Sequence, residues 1–388
     1  MTRLESSHEA NHHFIIQTLV LLLGVSVVGS NAFLMSPVMH DISASLSSSV
    51  GETARAVAAY GGTLALTGLF LTGYVQRFGY KTALMLSGAV LTGGIASTGL
   101  AWNWQMLVVS QAIAGLGAGI MLPTLYSMTA VISPKGKESA TLGKVITGWS
   151  LAMVAGVPLS AFIADLLSWR YAYFLVSGLS LAATLGFLWL PKHETGNRTE
   201  PTSLRSAFTL PASLPTFLIC FLYMVSFYGV FTFLGSHVQL TLHYSTFFSG
   251  LTVLAYGVGF GVAGLTGKRL DEHTPQKLIK PTLFSLTLIY LSFVLLATSY
   301  WLLLAGCFIW GFANQLGLNC LVSILTQLDQ NQRVRLLGIY SAVAYSGTMV
   351  AGITFGLMYD IGSFNTLLVA ASALCFASFL ISTTAYKR

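Results

Sequence analysis

The sequence predicts an all-α membrane protein in which twelve transmembrane helices form two pseudo-symmetric six-helix bundles. Three observations carry this expectation. Of 388 residues, 54% are hydrophobic and 8% charged, whereas a soluble domain carries about 25% charged residues. Apolar runs follow one another with short polar gaps, and twelve helices of about 20 residues need roughly 240 positions. Residue groups also recur about 195 positions downstream, as they do in transporters built from a duplicated helical unit.

The spans are justified in order. The first, 14–36, follows a polar N-terminus, 1–13. It is too long for a signal-peptide core and lacks a convincing small-residue cleavage site, so it is expected to stay as a helix. Span two, 53–75, begins after Glu52 and ends in a glycine-containing turn; span three, 82–101, starts just past Lys81. Span four, 104–131, carries Gly115, Gly117 and Gly119, with Pro123 after them, and span five, 143–166, carries Gly148, Gly156 and Pro158. Small residues let membrane helices approach closely, and Pro158 is expected to bend its helix. Span six, 171–190, completes an N-terminal bundle over 14–190. Residues 191–212, with Pro191, Pro201, Pro211 and several charges, read as a linker. Spans 213–236, 245–267, 278–298, 300–326, 336–358 and 364–384 then build a second bundle over 213–388.

Of 19 Lys and Arg residues, all but Arg55 and Arg170 fall on the side of the N-terminus and the linker. An excess of basic residues marks cytoplasmic loops, so both termini are expected in the cytoplasm. A missed or surplus span would have moved later clusters to the wrong side. The same grouping accounts for the net charge of +7 without a nucleic-acid partner. The repeat is visible in three pairs: Leu71-Thr72-Gly73 with Leu265-Thr266-Gly267, Asp165 with Asp360, and Gly115 with Gly311.

Several patterns are set aside. Cys220, Cys307, Cys320 and Cys375 lie in apolar runs with no CxxC pair and read as small buried hydrophobes. Gly259-Phe260-Gly261-Val262-Ala263-Gly264 matches a dinucleotide fingerprint by letter, but it follows no strand and reads as helix packing. Asn197-Arg198-Thr199 matches a glycosylation site in a loop expected to be cytoplasmic, and His8 and His12 occupy a short polar tail. With no P-loop, ATP is not expected to drive this chain directly. No metal, cofactor or catalytic constellation is expected. A lipid-acting enzyme would need converging His and carboxylates near one interface.

The polar groups at depth direct the functional reading. No Asp, Glu, Lys, Arg or His falls near a predicted midplane; the nearest ionisable groups, His40, Asp41, Glu52, Arg55 and His237, lie towards the outer ends. Asp41, Glu52 and Arg55 are candidates for a titrating, ion-coupling cluster, and the favoured alternative is that they are helix-end charges. Uncharged polar residues in lipid need partners. Span ten offers Trp310 with Asn314 on one face and Gln315 with Asn319 on another. Asn31, Gln111, Trp149, Tyr223, Phe227, Tyr228, Tyr340 and Tyr345 are the remaining candidates. Lining a cavity, such a set suits a neutral, zwitterionic or amphipathic solute; the alternative is interhelical hydrogen bonding.

Between spans two and three the chain reads Gly73-Tyr74-Val75-Gln76-Arg77-Phe78-Gly79-Tyr80-Lys81, and span four reads Gln111-Ala112-Ile113-Ala114-Gly115-Leu116-Gly117-Ala118-Gly119. Together with Gly148, Gly156, Val157 and Pro158 in span five and Trp169-Arg170 before span six, these stretches resemble the major facilitator superfamily. The closer likeness is to its twelve-helix drug:proton antiporter branch, which includes sugar and metabolite effluxers. Gly73, Arg77, Gly79 and Lys81 fit the gating motif; Gln76 replaces its acid, Gln111 stands where an arginine is usual, and Ser160 where glycine is common. Arg333 and Arg335 would then partner what remains of the gate's charge relay. The resemblance implies a monomeric transporter of the bacterial inner membrane, exporting a drug, sugar derivative, siderophore or other metabolite by alternating access. Coupling to protons is the family expectation. An importer of a nutrient and a membrane scaffold remain the alternatives.

Overall fold

A computed structural model describes residues 2–192, 208, 210–265, 274–329 and 332–386. The spanning helices are α1 (Thr2–Ser45), α2 (Val50–Phe70), α3 (Tyr80–Gly99), α4 (Trp104–Ile132), α5 (Ala140–Leu166), α6 (Trp169–Gly186), α7 (Ser213–Leu240), α8 (Thr246–Leu265), α9 (Pro275–Leu296), α10 (Tyr300–Leu328), α11 (Arg333–Ile361) and α12 (Phe364–Ala385). Backbone polar groups have no partner in lipid, so an apolar chain satisfies them within helices. Large apolar side chains, among them Leu86, Leu181, Leu291 and Val369, stay exposed on the outer surface, where lipid covers them. Most of the predicted linker lies outside the described residues.

Several elements depart from simple spans. The first helix is longer than the 14–36 stretch, because helix continues through the polar N-terminus and past Pro37 to Ser45. The second bends by 53° after Phe70, and the chain continues through a short helix, Thr72–Val75, and a 3-10 turn, Gln76–Phe78. Gly79 then takes φ 90°, a left-handed value that suits glycine, and α3 begins. In α5 the backbone widens into a π turn over Ala152–Gly156, where the Val157 N–H reaches Ala152 O. Pro158 has no N–H and its ring clashes with a regular helix before it, so the expected kink takes the form of a π turn.

Helices α1–α6 and α7–α12 form the two bundles, and the internal repeat is visible in contacts as well as letters. A Cβ on Gly115 would meet the carbonyl of Tyr60; a Cβ on Gly311 would meet the carbonyl of Tyr256. Tyr60 and Tyr256 stand one repeat apart, as the two glycines do. Each bundle therefore closes the same helix crossing, α2 on α4 and α8 on α10, by the same backbone-to-glycine contact.

The bundles meet along α2–α11, α5–α8 and α1–α7. These seams are tight at the end bearing the 46–49 and 241–245 loops, called here the distal end. There Gly51 packs on Asp360 and Gly356, Gly61 on Thr348, Gly250 on Ala161 and Gly257 on Met153. Gly235 lies on the backbone of Ser36 and Pro37; Ser36 Oγ donates to Phe231 O, and Gln239 Nε2 to Pro37 O at 2.7 Å. Towards the linker end the same helices part: a Cβ at Gly143, Gly261 or Gly338 would meet nothing within 4 Å.

Candidate substrate site

Two buried amide networks brace the bundles from within. In the first, Asn31 Nδ2 donates to Gln111 Oε1 at 3.1 Å, and Gln111 Nε2 donates to Thr98 Oγ1 at 3.1 Å, tying α1, α4 and α3. In the second, the Tyr223 hydroxyl donates to Asn314, whose Nδ2 donates to the Tyr256 hydroxyl at 2.6 Å, tying α7, α10 and α8. Asn31, Gln111 and Asn314 are each at most 2% exposed. A buried amide left unbonded would cost about 1–3 kcal/mol, which is why each of the three has a partner at both ends. Trp310 is fully buried, donates Nε1 to the Tyr290 hydroxyl at 3.2 Å, and is surrounded by Phe227, Phe231, Tyr256 and Phe293. It stands behind the inter-bundle surface. On the other face of α10, Gln315 Nε2 donates to Asn319 Oδ1 at 3.3 Å, the pairing that their spacing predicts.

Aromatic rings from both bundles converge where the bundles face each other. Phe33 of α1 packs edge-on to Trp149 of α5 at 5.9 Å and to Phe231 of α7 at 5.2 Å. Trp149 Nε1 donates to the Tyr126 hydroxyl at 3.1 Å, which fixes the indole. Tyr345 of α11 lies within electrostatic reach of Tyr228 and Tyr340 in its own bundle and of Tyr60 and Tyr126 in the other. Trp149 and Tyr345 are half-buried and one repeat apart, so each bundle presents one large aromatic at the same level. Phe33, Tyr60 and Tyr126 were not legible as site residues. Phe33 reads as one more apolar residue, although the Tyr60–Tyr256 match across the repeat was available.

The charged candidates occupy separate settings. Asp41 accepts from Thr246 Oγ1 of the opposite bundle, with His40 and Asp165 within electrostatic reach. Glu52 closes a capping box with Ser49 at the start of its own helix. Arg55 is exposed and lies over the Trp104 ring at 5.2 Å. His237, the buried member of the Asp, Glu, Lys, Arg and His set among the described residues, meets Ala297 O through Nε2 at 2.8 Å and stacks on Phe364. In the gating motif, Gln76 Nε2 donates to Thr124 Oγ1 at 3.2 Å, Arg77 lies over the Tyr74 ring, and Lys81 Nζ donates to the carbonyls of Leu188 and Leu190. Arg335 meets Gln332 at 3.0 Å; the Arg333 side chain lies outside the described residues. Gly148 and Gly156 receive α1 at Leu22 and Ser30, which puts the packing motif of α5 against the first helix.

A family model for the Major Facilitator Superfamily matches residues 21–330. YwfA of Bacillus subtilis (strain 168), an uncharacterised MFS-type transporter, is 26% identical over 98% of this chain and 94% of its own length. A probable sugar efflux transporter of Helicobacter pylori (strain G27) is 22% identical over 90% of this chain and 85% of its own. Among solved structures, a variant of the nucleoside transporter NupG superposes with a TM-score of 0.80 over 96% of this chain and 99% of its own, at 13% identity, a likeness of fold. A repeated six-helix unit, two bundles closed at one end and a family match across most of the helices agree: this chain is a multi-pass membrane protein and belongs to the Major Facilitator Superfamily.

Proposed function

We propose that this chain exports an uncharged or zwitterionic small molecule, such as a sugar derivative or an amphipathic drug, across the bacterial inner membrane by alternating access. The observation that carries the reading is the surface between the bundles: rings and hydroxyls of Phe33, Tyr60, Tyr126, Trp149, Tyr228 and Tyr345, with no carboxylate, ammonium or guanidinium among them. A fixed charge there would demand a counter-charge on the solute. Aromatic faces and hydroxyls instead suit ring carbons and neutral polar groups, and the likeness to a probable sugar efflux transporter agrees with that chemistry. The basic residues towards the linker end favour a cytoplasmic position for that end; in this reading the inter-bundle surface faces inward, with the distal seams closed.

In this reading Trp149 and Tyr345 are the paired substrate contacts, while Asn31, Gln111 and Asn314 hold the helices that carry them. Metabolite profiling of cells and medium, with and without the gene, tests the function. A compound enriched in the medium with the wild type, and not with Trp149→Ala, establishes export and names the solute class. A compound depleted from the medium makes the same architecture an importer. Trp149→Ala is expected to raise KM about tenfold at unchanged expression, since one large apolar contact contributes about 1.5–3 kcal/mol and tenfold is 1.4. A KM equal to wild type assigns the indole to packing.

Coupling is proposed to act through Asp41, because it alone of Asp41, Glu52 and Arg55 has a hydrogen bond shown to the opposite bundle. Asp41→Asn is expected to flatten the pH profile of transport, and Glu52→Gln and Arg55→Gln to leave it in place. A wild-type profile in Asp41→Asn excludes the residue from coupling.

A further inference from the structure

The geometry points to a pair of equivalent carboxylate latches, Asp360 on the start of α2 and Asp165 on the start of α8, that together hold the distal face shut. Asp360, in the last turn of α11, accepts from Ser49 Oγ at 2.7 Å and from the Gly51 N–H at 2.9 Å. Ser49 is the N-cap of α2, in the other bundle. Asp165, in the last turn of α5, accepts from Ser245 Oγ at 3.1 Å. Ser245 caps α8, again in the other bundle, its carbonyl receiving the Ser249 N–H. Asp165 and Asp360 match across the internal repeat, and so do Ser49 and Ser245. One contact is therefore made twice, once in each direction across the interface.

Helix electrostatics makes this arrangement informative. A carboxylate in the last turn of a helix faces the negative end of that helix's own dipole and is disfavoured there. Each of these two lies instead against the positive N-terminus of a helix from the opposite bundle, where a charge-assisted hydrogen bond to a hydroxyl or N–H is favourable. That N-terminus is within reach only while the distal seams are closed. The carboxylates thus favour the closed distal face over the open one, where each would sit alone at a helix C-terminus. Of the neighbouring cross-bundle bonds, Ser36 to Phe231 and Gln239 to Pro37 join neutral groups, while Asp41, which accepts from Thr246 Oγ1, stands outside the repeated pair because Ser236 occupies its position one repeat on.

The latches also sit at the ends of the glycine-packed seams. Gly51, whose N–H meets Asp360, is the residue on which Gly356 packs, and Gly250 packs on Ala161 one turn from Asp165. Opening the distal face has to break the latch before the seam beneath it can part.

The test measures the distance between spin labels at Trp102→Cys and Trp301→Cys, two exposed distal positions on opposite bundles. The four native cysteines are buried, so labelling is confined to the engineered pair. Asp360→Ala and Asp165→Ala are each expected to raise the ratio of long to short distances about fivefold, and the double variant by about the product, since the two sites are independent. Removing a carboxylate from a helix C-terminus does not weaken that helix, so the variants fold; Ser245→Ala, which removes only the other partner, is expected to follow Asp165→Ala. An unchanged distance distribution in the double variant overturns the proposal. A shift from one site alone overturns the claim that the latches are paired.

Discussion

Asn314→Leu is expected to destabilise the protein by about 1–3 kcal/mol, because it leaves the Tyr256 hydroxyl buried without its partner, while the Tyr223 hydroxyl keeps the backbone carbonyl of residue 314 at 2.9 Å. The second half of the prediction separates bracing from substrate contact. Replacing both sides of a buried hydrogen bond by apolar groups of similar shape is close to neutral, whereas replacing one side is costly. Tyr256→Phe, added to Asn314→Leu, is therefore expected to restore most of the loss. Thermal unfolding in detergent measures this, with transport followed in the wild type, Asn314→Leu and the double variant. If Asn314 braces α8 against α10, stability and transport recover together in the double variant. If it binds solute, stability recovers and transport stays lost.

The amides show how far the sequence reaches. Asn31, Gln111 and Asn314 stand out because an amide in lipid must be bonded, and that requirement holds whatever the partner. Gln315 and Asn319 pair as a helical spacing of four dictates. That Asn31 meets Gln111 does not follow from any local rule: the two are far apart in sequence and come together through the packing of α1 on α4. The same limit applies to Trp310. Its heptad-like relation to Asn314 is legible, but only the surrounding rings show that it lies behind the inter-bundle surface. The helices themselves were legible because lipid permits so few alternatives. Their interruptions were less so, since the bend after Phe70 and the form of the π turn at Ala152–Gly156 depend on local sterics that hydropathy does not record.

The asymmetry between charged and uncharged candidates has a physical reason too. Hydropathy located Asp41, Glu52 and Arg55 near helix ends but could not say what faces them. The structure gives one a partner across the interface, one a cap and one an aromatic face. Asp165 and Asp360 were visible as a repeat match. Their significance comes from the N-termini opposite them, which belong to the other half of the chain.

Gly115→Leu and Gly311→Leu are expected to have the largest effect of any substitutions proposed, and the same effect in each bundle. At both positions a Cβ would fall against a tyrosine carbonyl of the neighbouring helix, with Thr63 also in the way of the first and the Phe260 N–H beside the second. Overpacking a core costs about 1–3 kcal/mol when side chains can shift. Here the obstacle is helical backbone, whose carbonyl is fixed in its own hydrogen-bond ladder, so α2 must leave α4, or α8 leave α10. The Thr63 hydroxyl, which reaches Ala112 O at 2.9 Å, would lose that bond as the helices part. Size-exclusion chromatography of detergent-extracted protein is expected to show aggregate in place of a single folded peak for both variants, and a reduced, thermolabile peak for Gly115→Ala and Gly311→Ala. Equal losses at the two sites are what a duplicated crossing requires, since each glycine closes the same contact in its own bundle. A well-folded Gly311→Leu beside an unfolded Gly115→Leu would show that the second bundle does not depend on the crossing that the repeat assigns to it.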